Sequence, residues 1–308
     1  MELQNLVQSA RVKAKEKTFL SREVLEKVAG AATFQAALLE LEGTVYRFSQ
    51  QEVKPAGICS FFDAKRLSLL KEAEELLPEK VYQWFRFRYD LENLRLITNS
   101  GWDSFSGKNF TVLGLITGNN LIKAWQEKKN LEIPDLWQPL LKKLIVSPTE
   151  LTAVSVFKEF FQLSRNLVLS FQNSFLTRYQ ALEIDFFNLS VFLWKQFSGE
   201  VLDWRNLVEG GMVQPGKYQE FSSLMAAFQS NYHSVSPSVN ARTWEREYVM
   251  AALELLRPVR RLPYGLEVVT AYLFAREIEI KGLQKLLLGK AYGLPAEILQ
   301  EWLYPVYQ

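Results

Sequence analysis

The chain has 308 residues, of which 48% are hydrophobic and 23% are charged, so it can bury a sizeable core and is not a mainly disordered protein. Its 36 basic and 34 acidic residues give a formal net charge of +2, which removes any global electrostatic reason to expect a nucleic-acid binder. A single cysteine, Cys59, excludes an intramolecular disulfide and a cysteine-rich metal site, and suits a reducing compartment such as the cytoplasm.

The first third of the chain predicts short helices joined by small turns. Ser21 and Thr33 stand where the N-caps of two such helices belong, each just before a stretch of helical pattern. A longer helix is predicted from 61 to 77, where Pro78 ends it, and a further helix from 80 to 97.

The middle of the chain alternates helical pattern with breaks. Residues 98–120 are rich in Gly, Ser, Asn and Thr and predict an irregular loop. Helical pattern returns at about 120, is interrupted around Pro134 and Pro148, and resumes from 149 to 197. Convincing strand alternation is missing throughout, so the predicted fold class is all-α.

Two further breaks, at 210–216 and 230–240, precede a helix at 244–256 and then the longest predicted helix, at 266–292. We interpret this last helix as amphipathic. Its apolar set is Val269, Tyr272, Leu273, Ile280, Leu283 and Leu287, and its charged set is Arg276, Glu277, Lys281 and Lys285. Gly293 suits the left-handed residue that closes a helix, and Pro295 suits the first turn of the next one.

A repeated pattern links three of these helices. In each, an acid is followed three residues later by Asn or Gly: the pairs are Asp90 with Asn93, Asp185 with Asn188, and Glu279 with Gly282. The acids are 95 and 94 residues apart, which is longer than the ~20 to 50 residues of common solenoid repeats. The spacing predicts three similar helical domains, with approximate bounds 1–105, 106–200 and 201–308.

The role of these residue pairs has two possible interpretations. The acid and the residue three positions later share one helix face, where the acid can accept hydrogen bonds from a neighbouring helix end or pair with a basic side chain. Asn or Gly at the second position permits close approach of another helix, so the favoured interpretation is a repeated structural joint. The alternative is that Asp90, Asp185 and Glu279 converge on a metal or a reaction centre, but threefold copies usually hold equivalent groups far apart.

No motif predicts a catalytic, cofactor-binding or metal-binding residue. Gly289-Lys290 is followed by Ala291 and preceded by a helix, which does not match a phosphate-binding loop. His233 is the only histidine and lies in a polar segment, so a surface or cap role is favoured over a catalytic triad or a His-rich metal site. Cys59 is interpreted as a small apolar filler.

Membrane and export signals are missing from the sequence pattern. No uninterrupted apolar run approaches the ~18 residues that cross a bilayer, and Met1-Glu2-Leu3-Gln4-Asn5 does not begin a signal peptide. We therefore expect a chain that is soluble by itself, although it can still lie against a membrane complex.

Short motifs along nearly the whole chain carry a family resemblance through their order and spacing. They are Ala10-Arg11-Val12-Lys13-Ala14, Leu20-Ser21-Arg22, the segments 89–94 and 183–189, Pro263-Tyr264-Gly265, Ala275-Arg276-Glu277 and Gly293-Leu294-Pro295. Together they resemble the C-type subunit of the archaeal and bacterial V/A-type ATPases, whose eukaryotic counterpart is the d-type subunit.

The resemblance implies a fold and a role. The fold would be three similar helical domains around a pseudo-threefold axis, forming a funnel with a central cavity. The role would be that of a non-catalytic peripheral subunit on the cytoplasmic face of the membrane. There it would bind the membrane rotor ring and receive the central shaft, formed by D/F-type subunits, so that rotation linked to ATP and to proton or sodium transport passes between them. It implies no cofactor and no nucleic-acid partner.

The basic cluster Arg257, Arg260 and Arg261 has two readings as well: solvated or acid-paired side chains, or a contact with an acidic partner surface or with lipid headgroups beside the ring. Candidate interface anchors among the aromatic residues are Trp137, Trp194, Trp204 and Trp302. The competing class of function is a helical adaptor or scaffold unrelated to rotary machines, which would share the helices and the lack of catalytic motifs.

Overall fold

The computed structural model describes residues 2–48, 55–100, 111–127, 134–146, 153–203, 207–304 and 306–307. Within these ranges the secondary structure is helical and contains no strand, which confirms the predicted all-α class. The arrangement as a three-domain funnel stays a prediction.

The described residues form fourteen α-helices and three short 3-10 helices. The α-helices are α1 (Glu2–Glu16), α2 (Arg22–Gly30), α3 (Phe34–Leu39), α4 (Pro55–Leu76), α5 (Glu79–Phe87), α6 (Asp90–Ser100), α7 (Gly118–Glu127), α8 (Gln138–Val146), α9 (Ala153–Ser170), α10 (Ser174–Ser198), α11 (Phe221–Asn231), α12 (Trp244–Leu256), α13 (Leu266–Ala291) and α14 (Ala296–Glu301). Short 3-10 helices span Asp135–Trp137, Pro215–Gln219 and Arg257–Arg261.

Both predicted N-caps are present. The Ser21 hydroxyl accepts the backbone N–H of Val24 at 3.3 Å at the start of α2, and the Thr33 hydroxyl accepts the N–H of Ala36 at 3.1 Å at the start of α3. These bonds satisfy N–H groups that have no partner inside the helix.

Two predicted helices are each divided into two. The segment 80–97 is broken at residues 88–89, so that Asp90 becomes the first residue of α6. The segment 149–197 is broken at 171–173, where the Asn173 side chain accepts the N–H of Leu176 at 3.0 Å and caps α10.

The long helix α13 is confirmed within one residue, but its amphipathic character is wrong. Buried residues lie on all its sides, and they include the charged Arg276 and Glu277. The helix is enclosed because α1, α2, α3, α4 and α14 all pack against it. It ends as predicted, with Gly293 in the left-handed region at φ 72°.

The chain divides into two compact units. Unit 1 combines Met1–Leu77 with Glu245–Gln308, and unit 2 is Pro78–Trp244. The core of unit 1 is built around α13, whereas that of unit 2 contains an aromatic cluster in which the rings of Phe87 and Phe160 stack at 4.3 Å. This division into two units does not test the three repeats expected from the sequence, which remain a prediction.

Several smaller expectations can be compared with the structure. His233 is exposed, as expected, and its Nδ1 lies 3.2 Å from the Gln229 carbonyl oxygen. Cys59 is also exposed, so its interpretation as a core filler is wrong: it lies on a face of α4 that no other described segment covers. Among the described residues, no helix combines the length and the apolarity required to span a membrane.

Candidate functional site

Asp90 forms the first of three buried carboxylate sites. It begins α6 and is fully buried. One oxygen accepts the backbone N–H of Leu115 at 3.1 Å and the indole N–H of Trp137 at 2.8 Å, and the other faces the N–H of Ile116 at 3.4 Å. The two backbone donors lie immediately before α7, so the carboxylate ties α6 to the start of another helix.

Asn93, one turn further along α6, fastens the same loop at a second point. Its side-chain oxygen accepts the N–H of Thr111 at 2.9 Å, and its amide donates to the carbonyl of the same residue at 3.2 Å. The loop approaches so closely that a Cβ on Gly114 would lie 1.7 Å from Asp90 Oδ1. Glycine is therefore required there by space.

Asp185, in the middle of α10, forms the second carboxylate site with the same kind of donors. Its oxygens accept the N–H groups of Met212 at 2.8 Å and Val213 at 3.1 Å, and the Tyr232 hydroxyl at 2.6 Å. The Tyr218 hydroxyl donates to the backbone carbonyl of Asp185 at 3.1 Å. All of these groups belong to unit 2, as do those of the first site.

Asn188 repeats the role of the first asparagine. Its oxygen accepts the N–H of Val208 at 2.9 Å, and its amide donates to the Val208 carbonyl at 2.8 Å. A Cβ on Gly211 would lie 1.9 Å from Asp185 Oδ1, the same restriction as in the first site. In both sites the asparagine therefore holds a loop, whereas the sequence predicted that it permits the close approach of another helix.

Glu279, in the middle of α13, forms the third carboxylate site inside unit 1. It accepts the backbone N–H of Leu20 at 2.6 Å, the Tyr46 hydroxyl at 2.7 Å and the guanidinium of Arg276 at 2.5 Å. Leu20 directly precedes Ser21, the cap of α2. This carboxylate also ties a long helix to the start of another.

The second position of the third site differs from the other two. Gly282 lacks the side-chain amide that asparagine has, and a Cβ there would lie 2.8 Å from the Tyr304 ring. Arg276 supplies side-chain hydrogen bonds instead: it donates to the hydroxyl of Thr18 at 2.7 Å and to its carbonyl at 3.3 Å. The third site is thus an ion pair with loop contacts, whereas the first two are carboxylates held by neutral donors.

The three sites share one arrangement. Each carboxylate accepts the N–H of a residue shortly before a helix, together with a hydrogen bond from an aromatic side chain. The backbone donors are Ile116, Val213 and Leu20, and the aromatic donors are Trp137, Tyr232 and Tyr46. In the described part of the chain, no group of three or more His, Cys, Asp or Glu side chains is placed to hold a metal ion.

Burial dominates the electrostatics of the sites. It raises the pKa of Asp90 and of Asp185 to about 7, although Trp137, Tyr232 and the backbone N–H donors act in the opposite direction. Burial lowers the pKa of Arg276, but the Glu279 carboxylate and the neighbouring tyrosines raise it, so the net shift of that pKa is upward and the guanidinium stays charged. A buried charge of this kind is tolerable only when hydrogen bonds surround it.

The aromatic donors were not predicted from the sequence. Trp137 and Tyr232 each follow their acid by 47 residues, a regular spacing that would have pointed to them. Trp137 is fully buried in the first site, so its interpretation as an interface anchor is wrong. Trp194 is 58% exposed and Trp302 partly buried, while Trp204 lies outside the described residues.

Two arginines of the predicted basic cluster form hydrogen bonds within the chain. Arg257 donates to the carbonyl of Val306 at 2.8 Å, and Arg260 donates to the carbonyl of Tyr307 at 3.3 Å. Arg260 also lies 3.7 Å from a Glu16 carboxylate oxygen, and Arg261 is exposed. Two of the three arginines therefore contact the segment near the C-terminal end of the described chain.

Comparison with known proteins gives one result that covers most of the chain. The family model described as ATP synthase (C/AC39) subunit matches residues 8–301. A search of curated proteins returned no match.

Proposed function

Because the chain belongs to the ATP synthase C/AC39 subunit family, we propose that it is a non-catalytic central-stalk subunit of a V/A-type rotary ATPase. In this role it couples the shaft to the membrane rotor ring during ATP-linked transport of protons or sodium. Its partners are the ring subunits and the D/F-type shaft subunits, and it lies at the cytoplasmic face of the membrane as a peripheral subunit. Family membership disfavours the alternative of an adaptor unrelated to rotary machines.

The observation that carries the mechanical part of the proposal is the recurrence of the carboxylate site. A coupler must transmit torque without deforming, and packed interiors resist compression. Charge-assisted hydrogen bonds are also directional, so they fix the orientation of a bound segment relative to its helix. Asp90, Asp185 and Glu279 each fasten another segment of the chain to the body of a helix.

We assign the six residues of the predicted pairs to structural joints and to no reaction. Asp90 and Asp185 are buried, the Glu279 side chain is 9% exposed, and the hydrogen-bond donors of each carboxylate belong to its own unit. The oxygens of such a carboxylate are occupied by structural hydrogen bonds. This fits a subunit that binds no nucleotide. The pairs are Asp90 with Asn93, Asp185 with Asn188, and Glu279 with Gly282.

The recurrence also supports a proposal on architecture. Three repeats of about 95 residues, with approximate bounds 1–105, 106–200 and 201–308, would place one of the three acids in each repeat. The backbone donors of each acid would then lie in the repeat that follows, and that of Glu279 in the first repeat. We propose that the three repeats surround a pseudo-threefold axis as a funnel that receives the shaft. Superposition of the three sites in a reconstruction of the intact complex, by rotations of roughly one third of a turn, tests this arrangement.

The partners are tested by affinity purification of the tagged full chain from detergent-solubilised native membranes. We expect both ring and shaft subunits to be recovered, in fixed proportion to the chain. A variant of an exposed residue, Glu209→Gln, serves as a control for the handling of a substituted chain. Recovery of neither ring nor shaft subunits would contradict the proposal.

Coupling is tested separately in membrane vesicles. When the gene for the chain is deleted, we expect ATP hydrolysis by the catalytic head to persist while ATP-driven ion accumulation is lost, because the shaft no longer turns the ring. Accumulation should return when the wild-type chain is restored. Normal ion accumulation in the deletion strain would show that the chain has no coupling role.

A further inference from the structure

The segment that follows α14 crosses the third carboxylate site. We call residues 302–304 and 306–307 the strap. Tyr304 of the strap lies against α13 at Gly282, where a Cβ would be 2.8 Å from the tyrosine ring. The position that asparagine occupies in the other two sites is therefore left open for a side chain that comes from the strap.

Two arginines hold the strap by its backbone. Arg257 donates to the Val306 carbonyl at 2.8 Å, and Arg260 donates to the Tyr307 carbonyl at 3.3 Å. The guanidinium of Arg260 also lies 5.3 Å from the centre of the Tyr307 ring, within the range of a cation–π contact. The neighbouring Arg261 is exposed and, among the described residues, forms no hydrogen bond with the strap.

The strap also reaches the donor side of the site. The ring of Tyr307 packs 5.1 Å from that of Phe19, and it is only 4% exposed. Phe19 directly precedes Leu20, whose N–H is held by Glu279. Residues of the strap thus contact both the helix that carries the carboxylate and the segment that donates to it.

A small cavity lies between the strap and α13. Its volume is about 30 Å³, which exceeds the roughly 10–15 Å³ that one water molecule needs. Its lining combines Glu279 and Gly282 of α13 with the strap side chains Trp302, Tyr304, Val306 and Tyr307. The strap is therefore one wall of the space beside the carboxylate.

We propose that the strap keeps bulk solvent from the ion pair of Arg276 and Glu279, and that Arg257 and Arg260 hold the strap in place. The two paired side chains are 8% and 9% exposed. Their attraction is strong because the surrounding dielectric constant is low, and water that entered beside Glu279 would weaken it. The same water would compete for the Leu20 N–H, so the start of α2 would be released.

Two of the three clustered arginines thus have a role inside the chain. That role does not depend on the coupling function, since it concerns only contacts within unit 1. Arg261 is left as the member of the cluster that is free to meet an acidic partner or a lipid headgroup.

The test is hydrogen exchange of the Leu20 amide, resolved at single residues, in the purified full chain. We expect the double variant Arg257→Gln/Arg260→Gln to exchange this amide at least tenfold faster than the wild type. Arg261→Gln is the matched control, and its Leu20 amide should exchange at the wild-type rate. The Leu77 amide, bound to the Ala73 carbonyl in unit 1, is an internal reference that should not change.

Unchanged Leu20 exchange in the double variant, or equal acceleration in Arg261→Gln, would overturn the proposal. If Leu77 also lost protection, the double variant would destabilise unit 1 as a whole, and Tyr304→Ala would decide. That variant keeps both arginines and removes the ring over Gly282. Faster exchange at Leu20 with the exchange of Leu77 unchanged supports the role of the strap, and unchanged exchange at Leu20 overturns it.

Discussion

At Asp185, four groups meet in a space closed to solvent: a carboxylate, two backbone N–H groups and a tyrosine hydroxyl. Each of these partners of the two carboxylate oxygens is a donor. If asparagine replaced Asp185, only its side-chain oxygen could accept hydrogen bonds. Its NH₂ group would face other donors. A change that preserves the shape of the side chain therefore breaks the site.

We expect Asp185→Asn to lower the free energy of unfolding by about 1–3 kcal/mol, the usual effect of leaving a buried donor without a partner. Denaturant unfolding of the full chain, followed by circular dichroism, measures it. Glu209→Gln is the matched control, because it makes the same chemical change at an exposed position of the same loop. Equal stability of the two variants would show that the carboxylate does not hold the loop.

The pH dependence of stability follows from the raised pKa values. Asp90 and Asp185 have a pKa of about 7 in the folded chain, whereas an unfolded aspartate has a pKa of about 3.9. Between these values the folded state binds more protons than the unfolded state, so the free energy of unfolding falls as the pH rises. The contribution is fully present below about pH 4 and is lost above about pH 7.

This decline is measurable by denaturant unfolding at several pH values between about 4.5 and 8, the window that the raised pKa values set. In Asp185→Asn one of the carboxyl groups with a raised pKa is missing, so the decline should be smaller than in the wild type. The difference in stability between the two chains should consequently be larger at about pH 5 than at about pH 8. Parallel curves for the two chains would contradict the assignment of the raised pKa to Asp185.

Glycine at the loop apex is the third requirement of the second site. In Gly211→Ala the new methyl group would lie 1.9 Å from the Asp185 carboxylate, so either the loop or the side chain must move. We expect a loss of about 1–3 kcal/mol in the free energy of unfolding, as overpacking causes. Gly216→Ala, in the same loop region with open space around its Cβ, should change the stability by less than about 0.5 kcal/mol.

At the scale of elements, α13 shows what a helical pattern can and cannot predict. Its ends are predictable because Gly265 and Gly293 both adopt positive φ angles that stop a helix. Its enclosure is not, because the helices that bury it come from both ends of the chain. The burial of Arg276 depends on its pairing with Glu279, and periodicity records hydrophobicity without recording such pairs.

The joint residues illustrate the same limit. The acids and their Asn or Gly partners are visible in the sequence because they recur at a nearly constant interval. The groups that they bind cannot be predicted, because the donors lie in loops around residues 115 and 212 whose sequences have no periodic pattern.

The break in the helix before Asp90 is not predicted for a related reason. A tertiary contact, the half-buried 2.6 Å ion pair of Arg88 with Glu183, adjoins that turn, and local helix propensity carries no information about it.

The contact between α13 and the strap can be measured as a coupling energy. Gly282→Ala should cost about 1–3 kcal/mol, because its methyl group would overlap the Tyr304 ring. In a Tyr304→Ala background that overlap is removed, so the same change should cost less and the two effects should not add. Thermal or denaturant unfolding of the four chains completes the cycle, and strict additivity would show that residues 282 and 304 do not touch.

At the scale of the whole molecule, the two units differ in how the chain builds them. Unit 2 is one continuous stretch, Pro78–Trp244, and it contains the first and second carboxylate sites with their donors. Unit 1 needs both ends of the chain, because α13 supplies its core helix and its carboxylate. The two units should therefore behave differently when they are expressed as fragments.

We expect a fragment of residues 78–244 to unfold cooperatively by itself, with the Val213 amide protected from exchange, because neither of its two joints is cut. A fragment of residues 1–77 should lack a cooperative transition, since the acceptor of the Leu20 N–H is missing. Circular dichroism melts and hydrogen exchange of the two fragments provide the comparison. A cooperative melt of 1–77 alone would contradict the central place given to α13.

The bond between Leu20 and Glu279 joins residues 259 positions apart, and this separation has a consequence for the nascent chain. At the roughly 5–20 residues per second of protein synthesis, Leu20 leaves the ribosome on the order of 10 to 50 seconds before its partner exists. During that interval α2 carries Leu25, Val28 and Ala29 without the helix that will cover them. Chaperones that bind apolar nascent segments would meet this end of the protein first, while unit 2 folds behind it.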